Sequence, residues 1–318
     1  MYQDMEKQIS VVIPVLNEEE SLRELYERVL DGLEKIGKSY EIIFIDDGSK
    51  DKSLDIIKSL ASKNKDIKVF SFRKNLGKSY AYMVGFNKAS GKFVVTLDAD
   101  LQDDPKSIKI LYDKFVRGKY DLVAGWRKAR RDNITKRLSS KLFNNIVSSI
   151  FGFKIHDLNC GLKIYRNEVA KDLRLYGGMH RFIPIFVNEM GYKVGETEII
   201  HFPRKYGKSK YKATKIITDL PDLITVFFLT RYTRRPLHFF GKIGSVLVFI
   251  GFIILIYLSY IHFLGESIGR RPLLFLGILL IILGIQIIFT GLLADLIVNT
   301  NTKDDKNFPL KYESKLNN

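Results

Sequence analysis

The stretch that decides the fold reads Phe93-Val94-Val95-Thr96-Leu97-Asp98-Ala99-Asp100-Leu101-Gln102. Its apolar half predicts a buried strand, which ends on two carboxylates separated by one residue. Because side chains alternate between the two faces of a strand, Asp98 and Asp100 can point the same way. Two neighbouring carboxylates suit a hard divalent cation, and such a cation can neutralise a diphosphate. The sequence therefore predicts a metal-dependent site at this strand end.

A second interpretation of the same region is a turn that begins a helix. Asp103 or Asp104 followed by Pro105 is a typical helix start. Capping accounts for these three residues but leaves the acidic pair unexplained, so both interpretations stay open at this point.

Apolar runs alternate with helical patterns along most of the chain. Strands are predicted at residues 9–16, 41–45, 68–72, 93–97, 121–125 and 194–202. A polar segment that starts at His156 leads into a further short apolar strand. Because helical patterns separate most of these strands, we expect an α/β fold with a mainly parallel sheet and helices on both faces. Such sheets bind their ligands at the carboxyl ends of the strands.

Polar residues follow the first three strands in the same way. Asn17 and Glu18 follow the first strand, Asp46 and Asp47 follow the second, and a basic loop with Lys78 follows the third. Loops in these positions can hold a nucleotide and its phosphates. The alternative is that these residues only form turns and helix caps or complement helix dipoles.

Two later segments carry further candidates. Asp157 opens a turn rather than lying on a solvated helix face. The loop after the last predicted strand carries Arg204, Lys205, Lys208 and Lys210. These cations could offset the repulsion between two phosphate groups.

Composition narrows the class of partner. The chain has 318 residues and a net charge of +16, which fits a phosphate-rich partner or an anionic membrane surface. The single cysteine, Cys160, excludes an intrachain disulfide and a multi-cysteine zinc site. Residues 1–10 lack the apolar core of a signal peptide, so we expect the catalytic part to stay in the cytoplasm.

The C-terminal third has a different character. Residues 213–235 predict an amphipathic helix, interrupted near Pro221, that could lie in the membrane interface. Two uncharged stretches of about 22 residues follow, and each makes roughly 33 Å of helix, enough to cross a bilayer. Their short connector predicts a hairpin. Cations outside it, such as Lys242 and Lys303, outweigh Arg270 and Arg271 in the connector, which places both termini in the cytoplasm.

At four places the chain resembles glycosyltransferase family 2, which has the GT-A fold. The matching stretches are Val12-Ile13-Pro14-Val15-Leu16-Asn17-Glu18, Asp46-Asp47-Gly48-Ser49, Arg73-Lys74-Asn75-Leu76-Gly77-Lys78 and Leu97-Asp98-Ala99-Asp100-Leu101-Gln102. More narrowly, it is similar to the polyprenyl-phosphate glycosyltransferases, which include bactoprenol glucosyltransferases and dolichyl-phosphate mannose synthases. Residues 100–105, the Arg204-x-x-Gly207-x-Ser209-Lys210 motif and the C-terminal hairpin carry that narrower resemblance.

The resemblance and the hydropathy pattern together predict a domain division. Residues 1–210 form a cytoplasmic GT-A catalytic domain, and residues 211–240 form interfacial helices. Residues 241–298 hold two transmembrane helices, at about 243–264 and 273–297. Residues 299–318 form a cytoplasmic tail. The protein is thus expected in the cell membrane, with the bilayer as a partner.

The resemblance also implies site roles. The residues that line the nucleotide-sugar pocket are Pro14, Asn17, Glu18, Asp46, Asp47, Lys78 and Asp98. Asp98, Asp100 and Gln102 are the expected ligands of Mg²⁺ or Mn²⁺. Asp157 falls at a polar catalytic turn of inverting members. Arg204 is expected to take part in catalysis with Asp100 and Asp157, and Lys210 to meet the donor or lipid phosphate.

The implied reaction is inverting transfer of a hexose to a polyprenyl phosphate such as undecaprenyl phosphate. UDP-glucose is the favoured donor, and GDP-mannose is the alternative. A phosphate monoester has a second pKa of about 6 and is largely dianionic at pH 7. Strong base catalysis is therefore less necessary than for a sugar hydroxyl, and Asp157 either acts as a base or orients a substrate.

Three other functions are weaker matches. A processive polysaccharide synthase would carry a Gln-x-x-Arg-Trp motif. The only tryptophan of the chain, Trp126, is not part of such a motif. A non-enzymatic lipid flippase or scaffold would leave the acidic pair without a role. A nucleic-acid binder is suggested by charge alone, without a recognition motif, so no nucleic-acid partner is expected. A homo-oligomer is plausible.

Overall fold

A seven-stranded mixed sheet forms the centre of the catalytic part. The computed structural model describes residues 7–128, 144–206, 215–232, 235–269 and 271–301. The strands are β1 (Ile9–Val15), β2 (Tyr40–Asp46), β3 (Ile67–Ser71), β4 (Phe93–Thr96), β5 (Leu122–Trp126), β6 (Lys163–Arg166) and β7 (Val194–Glu198). Their order across the sheet is β3-β2-β1-β4-β6-β5-β7. This α/β architecture confirms the predicted fold class.

Helices connect most of the strands. They are α1 (Leu22–Glu34), α2 (Ser53–Lys63), α3 (Lys78–Lys88), α4 (Ser107–Gly118), α5 (within residues 144–151), α6 (Asn167–Asp172), α7 (Ile183–Glu189), α8 (Lys215–Arg231), α9 (Pro236–Phe263) and α10 (Pro272–Asn301). A 3₁₀ turn spans Met179–Phe182. Helix α1 packs against α2 and α4, whereas α3 packs against α6 and the 3₁₀ turn, so two separate groups of helices cover the sheet.

The core forms because the central strands are apolar on both faces. Successive residues of these strands, Val12 and Ile13 in β1 and Ile43 and Phe44 in β2, are fully buried, as is typical of parallel strands covered by helices on each side. In α1 the buried positions recur every three or four residues, which gives this helix one apolar face against the sheet.

One strand runs against the others. β6 pairs antiparallel with both β4 and β5, while the remaining neighbours in the sheet are parallel. Thr96, at the end of β4, is opposite Lys163, at the start of β6. The segment before β6 therefore lies at the same sheet edge as the acidic pair that follows β4.

The chain divides into two compact units, with the boundary between Val226 and Phe227. Helix α8 is continuous through Pro221, so the predicted interruption at this proline is wrong. The hydroxyl of Thr225 donates a hydrogen bond to the Pro221 carbonyl at 2.8 Å. A proline removes only one backbone donor, which a helix can accommodate with a bend.

The second unit contains α9 and α10, which pack along each other. Both helices are long and apolar enough to cross a membrane, with windows of mean hydropathy 2.4 and 2.8. Glycines allow their close approach: a Cβ on Gly244 would lie 2.6 Å from the Gly284 carbonyl oxygen, and one on Gly251 would lie 2.7 Å from that of Gly277. The predicted hairpin thus has a glycine seam, a common feature of helices that associate in lipid.

Candidate active site

The acidic pair lies directly after β4, and each carboxylate contacts a cation. Asp98 pairs with Lys78, the first residue of α3, and also accepts a hydrogen bond from the Tyr82 hydroxyl at 3.5 Å. Asp100 accepts a hydrogen bond from Arg204 at 2.6 Å. The structure thus brings together four residues that the sequence nominated from three separate segments.

The two carboxylates affect each other. Burial and the negative charge of Asp98 together raise the pKa of Asp100 above its usual value, against the opposing effect of Arg204. Burial would also raise the pKa of Asp98, but Lys78, helped by Lys163 and Arg127, lowers it overall. Two carboxylates close enough to repel each other favour the binding of a further cation between them.

Gly161 gives Asp98 the space that it occupies. A Cβ at this glycine would lie 2.6 Å from both carboxylate oxygens of Asp98, closer than real Cβ atoms come. No sequence motif pointed to Gly161 as part of the site. Its position depends on the reversed strand β6, which brings residues 157–162 to the end of β4.

Asp157 is buried and holds Arg127. One of its oxygens accepts a hydrogen bond from Arg127 Nε at 2.7 Å, and the other accepts one from Nη2 at 3.0 Å. Burial opposes the charge of Arg127, but Asp157 and Asp103 raise its pKa, so the guanidinium stays charged. This bidentate ion pair favours a role for Asp157 in positioning the Arg127 side chain over a role as a base. The sequence showed Arg127 only as part of a basic run.

Two further buried polar residues lie behind the acidic pair. Lys163 donates a hydrogen bond to the Cys160 carbonyl, and burial lowers its pKa. The Cys160 thiol faces Asp103 at 3.6 Å, and burial with the Asp103 charge raises its pKa, so it remains a thiol. The only sign of these buried polar residues in the sequence was a lysine, Lys163, in a short apolar strand.

The predicted nucleotide residues mainly organise loops at the same sheet edge. Asp46 accepts hydrogen bonds from Ser49 and Ser71. Asp47 accepts them from the backbone N–H groups of Leu76 and Gly77, although burial raises its pKa. These contacts fix the loop before Lys78.

The loop that follows β1 is hydrogen-bonded to the loop that follows β2. The side-chain oxygen of Asn17 accepts a hydrogen bond from the Lys50 N–H at 2.7 Å, and a Glu18 oxygen lies 3.9 Å from Arg204. Pro14 pairs with Ile45 within β1 and β2. Their contact with a nucleotide stays a prediction.

The basic loop is described only in part. Arg204 reaches the acidic pair, whereas Lys205 pairs with Glu24 at 2.7 Å on the surface. Lys208 and Lys210 lie outside the described residues. The assignment of these lysines to an acceptor phosphate stays a prediction.

The acidic pair can supply two of the ligands of a divalent cation. Within the described ranges, no group of three or more His, Cys, Asp or Glu side chains could hold a metal ion. Asp98 and Asp100 would supply two carboxylates, and Mg²⁺ is usually held by one or two carboxylates together with substrate phosphates. The Gln102 N–H donates to Asp100 at 3.1 Å, and its side chain as a ligand stays a prediction.

An α/β sheet with this acidic pair at a central strand exit defines a glycosyltransferase of the GT-A type. The family model described as glycosyl transferase family 2 matches residues 10–174. The chain belongs to this family.

Sequence similarity to known proteins extends over nearly the whole chain. It is 37% identical to a dodecaprenyl-phosphate galacturonate synthase of Rhizobium johnstonii over 94% of this chain and 90% of the relative. It is also 37% identical to an undecaprenyl-phosphate 4-deoxy-4-formamido-L-arabinose transferase of Pectobacterium carotovorum over 92% of this chain and 88% of the relative.

Solved structures agree on the fold. Glucosyl-3-phosphoglycerate synthase from Mycobacterium tuberculosis superposes with a TM-score of 0.53 at 20% identity, covering 70% of this chain and 80% of that one. Another crystal structure of that enzyme, with Mn²⁺, UDP and glucosyl-3-phosphoglycerate, gives a TM-score of 0.52 at 19% identity, over 71% of this chain and 80% of that one. At this identity the likeness concerns the fold alone.

Proposed function

We propose that this protein transfers a sugar from a nucleoside diphosphate to a polyprenyl phosphate at the cytoplasmic face of a membrane. The observation that carries the proposal is the acidic pair, with Lys78 and Arg204 on it, at the exit of β4. The relatives named above support the lipid acceptor, because both names specify a polyprenyl phosphate.

The identity of the sugar is a finer proposal. The motifs favour glucose from UDP-glucose, with mannose from GDP-mannose as the alternative. The relatives' names add galacturonate and 4-deoxy-4-formamido-L-arabinose. We place these two sugars first, because both relatives match the chain over nine-tenths of its length.

The chemistry is a direct displacement at the anomeric carbon. A lipid phosphate oxygen forms the new bond on one face while the bond to the nucleotide oxygen breaks on the other, so the configuration inverts. Because the acceptor phosphate is already largely dianionic at pH 7, no strong base is required. Arg204 offsets the repulsion between acceptor and donor phosphates. Asp157 fixes the position of the Arg127 side chain.

Asp98 and Asp100 would hold Mg²⁺ or Mn²⁺ on the donor. A bound divalent cation stabilises the negative charge that develops on the departing diphosphate. Lys78 adds a positive charge at the N-terminus of α3, where phosphates bind favourably.

The membrane supplies the acceptor. Helices α9 and α10 have exposed apolar faces, with Phe249 and Leu293 more than 60% exposed, which suits contact with lipid chains. A bilayer anchor confines the catalytic part to the surface where the lipid phosphate lies.

A panel of labelled nucleotide sugars tests the proposal. Purified full-length protein in detergent receives undecaprenyl phosphate, Mn²⁺ and one donor at a time: nucleotide-linked galacturonate, formamido-arabinose, glucose or mannose. We expect one label to become extractable into organic solvent, and Asp100→Asn to abolish this. Failure with every donor, in protein that is folded, would overturn the proposal.

A second variant at the same residue, Asp100→Ala, distinguishes an enzyme from a lipid flippase or scaffold. A non-enzymatic protein would retain its cellular role when Asp100 is changed to Ala, provided that membrane insertion is unchanged. We expect that role to be lost together with turnover.

A further inference from the structure

Both carboxylates of the acidic pair are already neutralised by side chains of the chain itself. Lys78 occupies Asp98, and Arg204 occupies Asp100 at 2.6 Å. All four side chains are partly shielded, with Arg204 19% and Asp100 13% exposed. A divalent cation that binds this pair must therefore share, or replace, two existing positive charges.

We propose that Lys78 and Arg204 act as internal place-holders for the divalent cation and leave the carboxylates when it binds. The proposal rests on the proposed function, because it assumes a metal-dependent nucleotide site. In the free enzyme each cation balances one carboxylate. After the exchange, Asp98 and Asp100 balance the divalent cation, and the two released side chains have their charges available for the donor's phosphates.

Each place-holder has a second partner to receive it. The Lys78 ammonium lies 5.5 Å from the centre of the Tyr82 ring, within range of a cation–π interaction. Arg204 Nη1 lies 3.9 Å from Glu18 Oε1. Release from the acidic pair therefore does not leave either charge without a nearby group.

Release of Lys78 requires only its side chain to move. The Gly77 N–H donates a hydrogen bond to Asp47 at 3.0 Å, so the loop before Lys78 stays in place. The flexible four-carbon side chain of a lysine can reorient without a change in the backbone.

The balance of charges explains why the exchange would couple binding of the metal to binding of the donor. Each phosphate of the donor carries one negative charge, which matches the two positive charges released by the exchange. Binding of the cation thus increases affinity for the diphosphate, and by linkage the diphosphate increases affinity for the cation. Without a donor, the place-holders keep metal affinity low.

Mn²⁺ affinity in the absence of nucleotide tests the proposal. Full-length protein in detergent is titrated with Mn²⁺ and free Mn²⁺ is read by electron paramagnetic resonance. We expect Lys78→Gln and Arg204→Gln each to bind Mn²⁺ about 5- to 10-fold more tightly than the wild type, within the usual range of coupling between sites. Lys109→Gln, which removes a surface pair with Asp113 at 2.8 Å, should leave the affinity unchanged.

Equal or weaker Mn²⁺ binding by both variants would overturn the proposal, and so would an absence of Mn²⁺ binding in every protein. A measurement on the wild type covers the case in which a variant misfolds. Saturating Mn²⁺ should raise the rate at which an amine-acylating reagent modifies Lys78, read by mass spectrometry, and leave Lys35 unchanged. An unaltered rate at Lys78 with Mn²⁺ bound contradicts the exchange.

These readouts do not depend on sugar transfer. If no donor is ever transferred but Mn²⁺ binding responds as expected, the proposed function fails and the exchange stands. If sugar transfer occurs but the Mn²⁺ affinity is the same in the wild type, Lys78→Gln and Arg204→Gln, the proposed exchange is wrong and the proposed function stands.

Discussion

At the scale of single residues, Gly161 leaves the space that the Asp98 carboxylate occupies. Gly161→Ala would bring a methyl group within 2.6 Å of the Asp98 carboxylate, so we expect this carboxylate to move. Misplacing a catalytic group by about 1 Å can cost roughly 100-fold in rate, and we expect a loss of this order in kcat/KM.

The control is Gly269→Ala. Nothing lies within 4 Å of a Cβ at Gly269, so this variant should keep wild-type turnover and thermal stability. Wild-type kcat/KM in Gly161→Ala would show that Asp98 does not need its observed position.

Asp157 allows a second prediction at this scale. Loss of a residue that holds Arg127 should lower stability, whereas loss of a catalytic base should lower activity alone. Asp157→Ala leaves the buried Arg127 charge unpaired, and breaking such a pair costs about 3–5 kcal/mol. We therefore expect a clear drop in the unfolding temperature together with lost activity. Loss of activity at unchanged unfolding temperature would instead identify Asp157 as a base.

The sequence predicted the acidic pair and the polar strand exits, because strand ends and charge patterns are local. It could not predict that Arg127 pairs with Asp157, or that Gly161 meets Asp98. Both contacts depend on the direction of β6, which pairs with strands far away along the chain. Short apolar runs do not show whether a strand runs parallel or antiparallel.

At the scale of elements, the strands and α8 were predicted close to their observed positions, with two differences. β7 ends at Glu198 rather than at residue 202, and α8 runs through Pro221 without the predicted interruption. Apolar runs identified most of the strands because β1, β2, β4, β5 and β6 are largely buried, whereas β3 and β7 are more exposed. The proline rule was too strict for α8, since helix packing and length can outweigh one missing hydrogen bond.

The glycine seam between α9 and α10 gives an element-scale prediction. Gly251→Leu would place a side chain against the Gly277 carbonyl, where a Cβ would already lie at 2.7 Å. Overpacking of this kind costs about 1–3 kcal/mol. We expect a lower unfolding temperature in detergent, with separation of the two helices.

Gly241→Leu is the matched control in the same helix. A Cβ at Gly241 would contact only Leu237 at 3.8 Å, an ordinary van der Waals distance. If both variants unfold at the same temperature, close packing at Gly251 does not stabilise the hairpin.

At the scale of the whole molecule, orientation is the open prediction. The flanking cations predict that both ends of the hairpin lie in the cytoplasm. A C-terminal green fluorescent protein fusion should therefore fluoresce, whereas a C-terminal alkaline phosphatase fusion should be inactive, when each is expressed in bacteria. An active phosphatase fusion would reverse the orientation. The homo-oligomer also stays a prediction, which mass measurement of the detergent complex can check.

The balanced charges around the acidic pair have a consequence for ionic strength. Asp98, Asp100 and Asp157 are each matched by a cation, so the net charge of +16 belongs to the remainder of the chain. Dissolved ions screen exposed charges over about 8 Å at 0.15 M, and shielded pairs much less. Concentrated sodium chloride should therefore weaken attraction to anionic lipid headgroups well before it disturbs the chemistry.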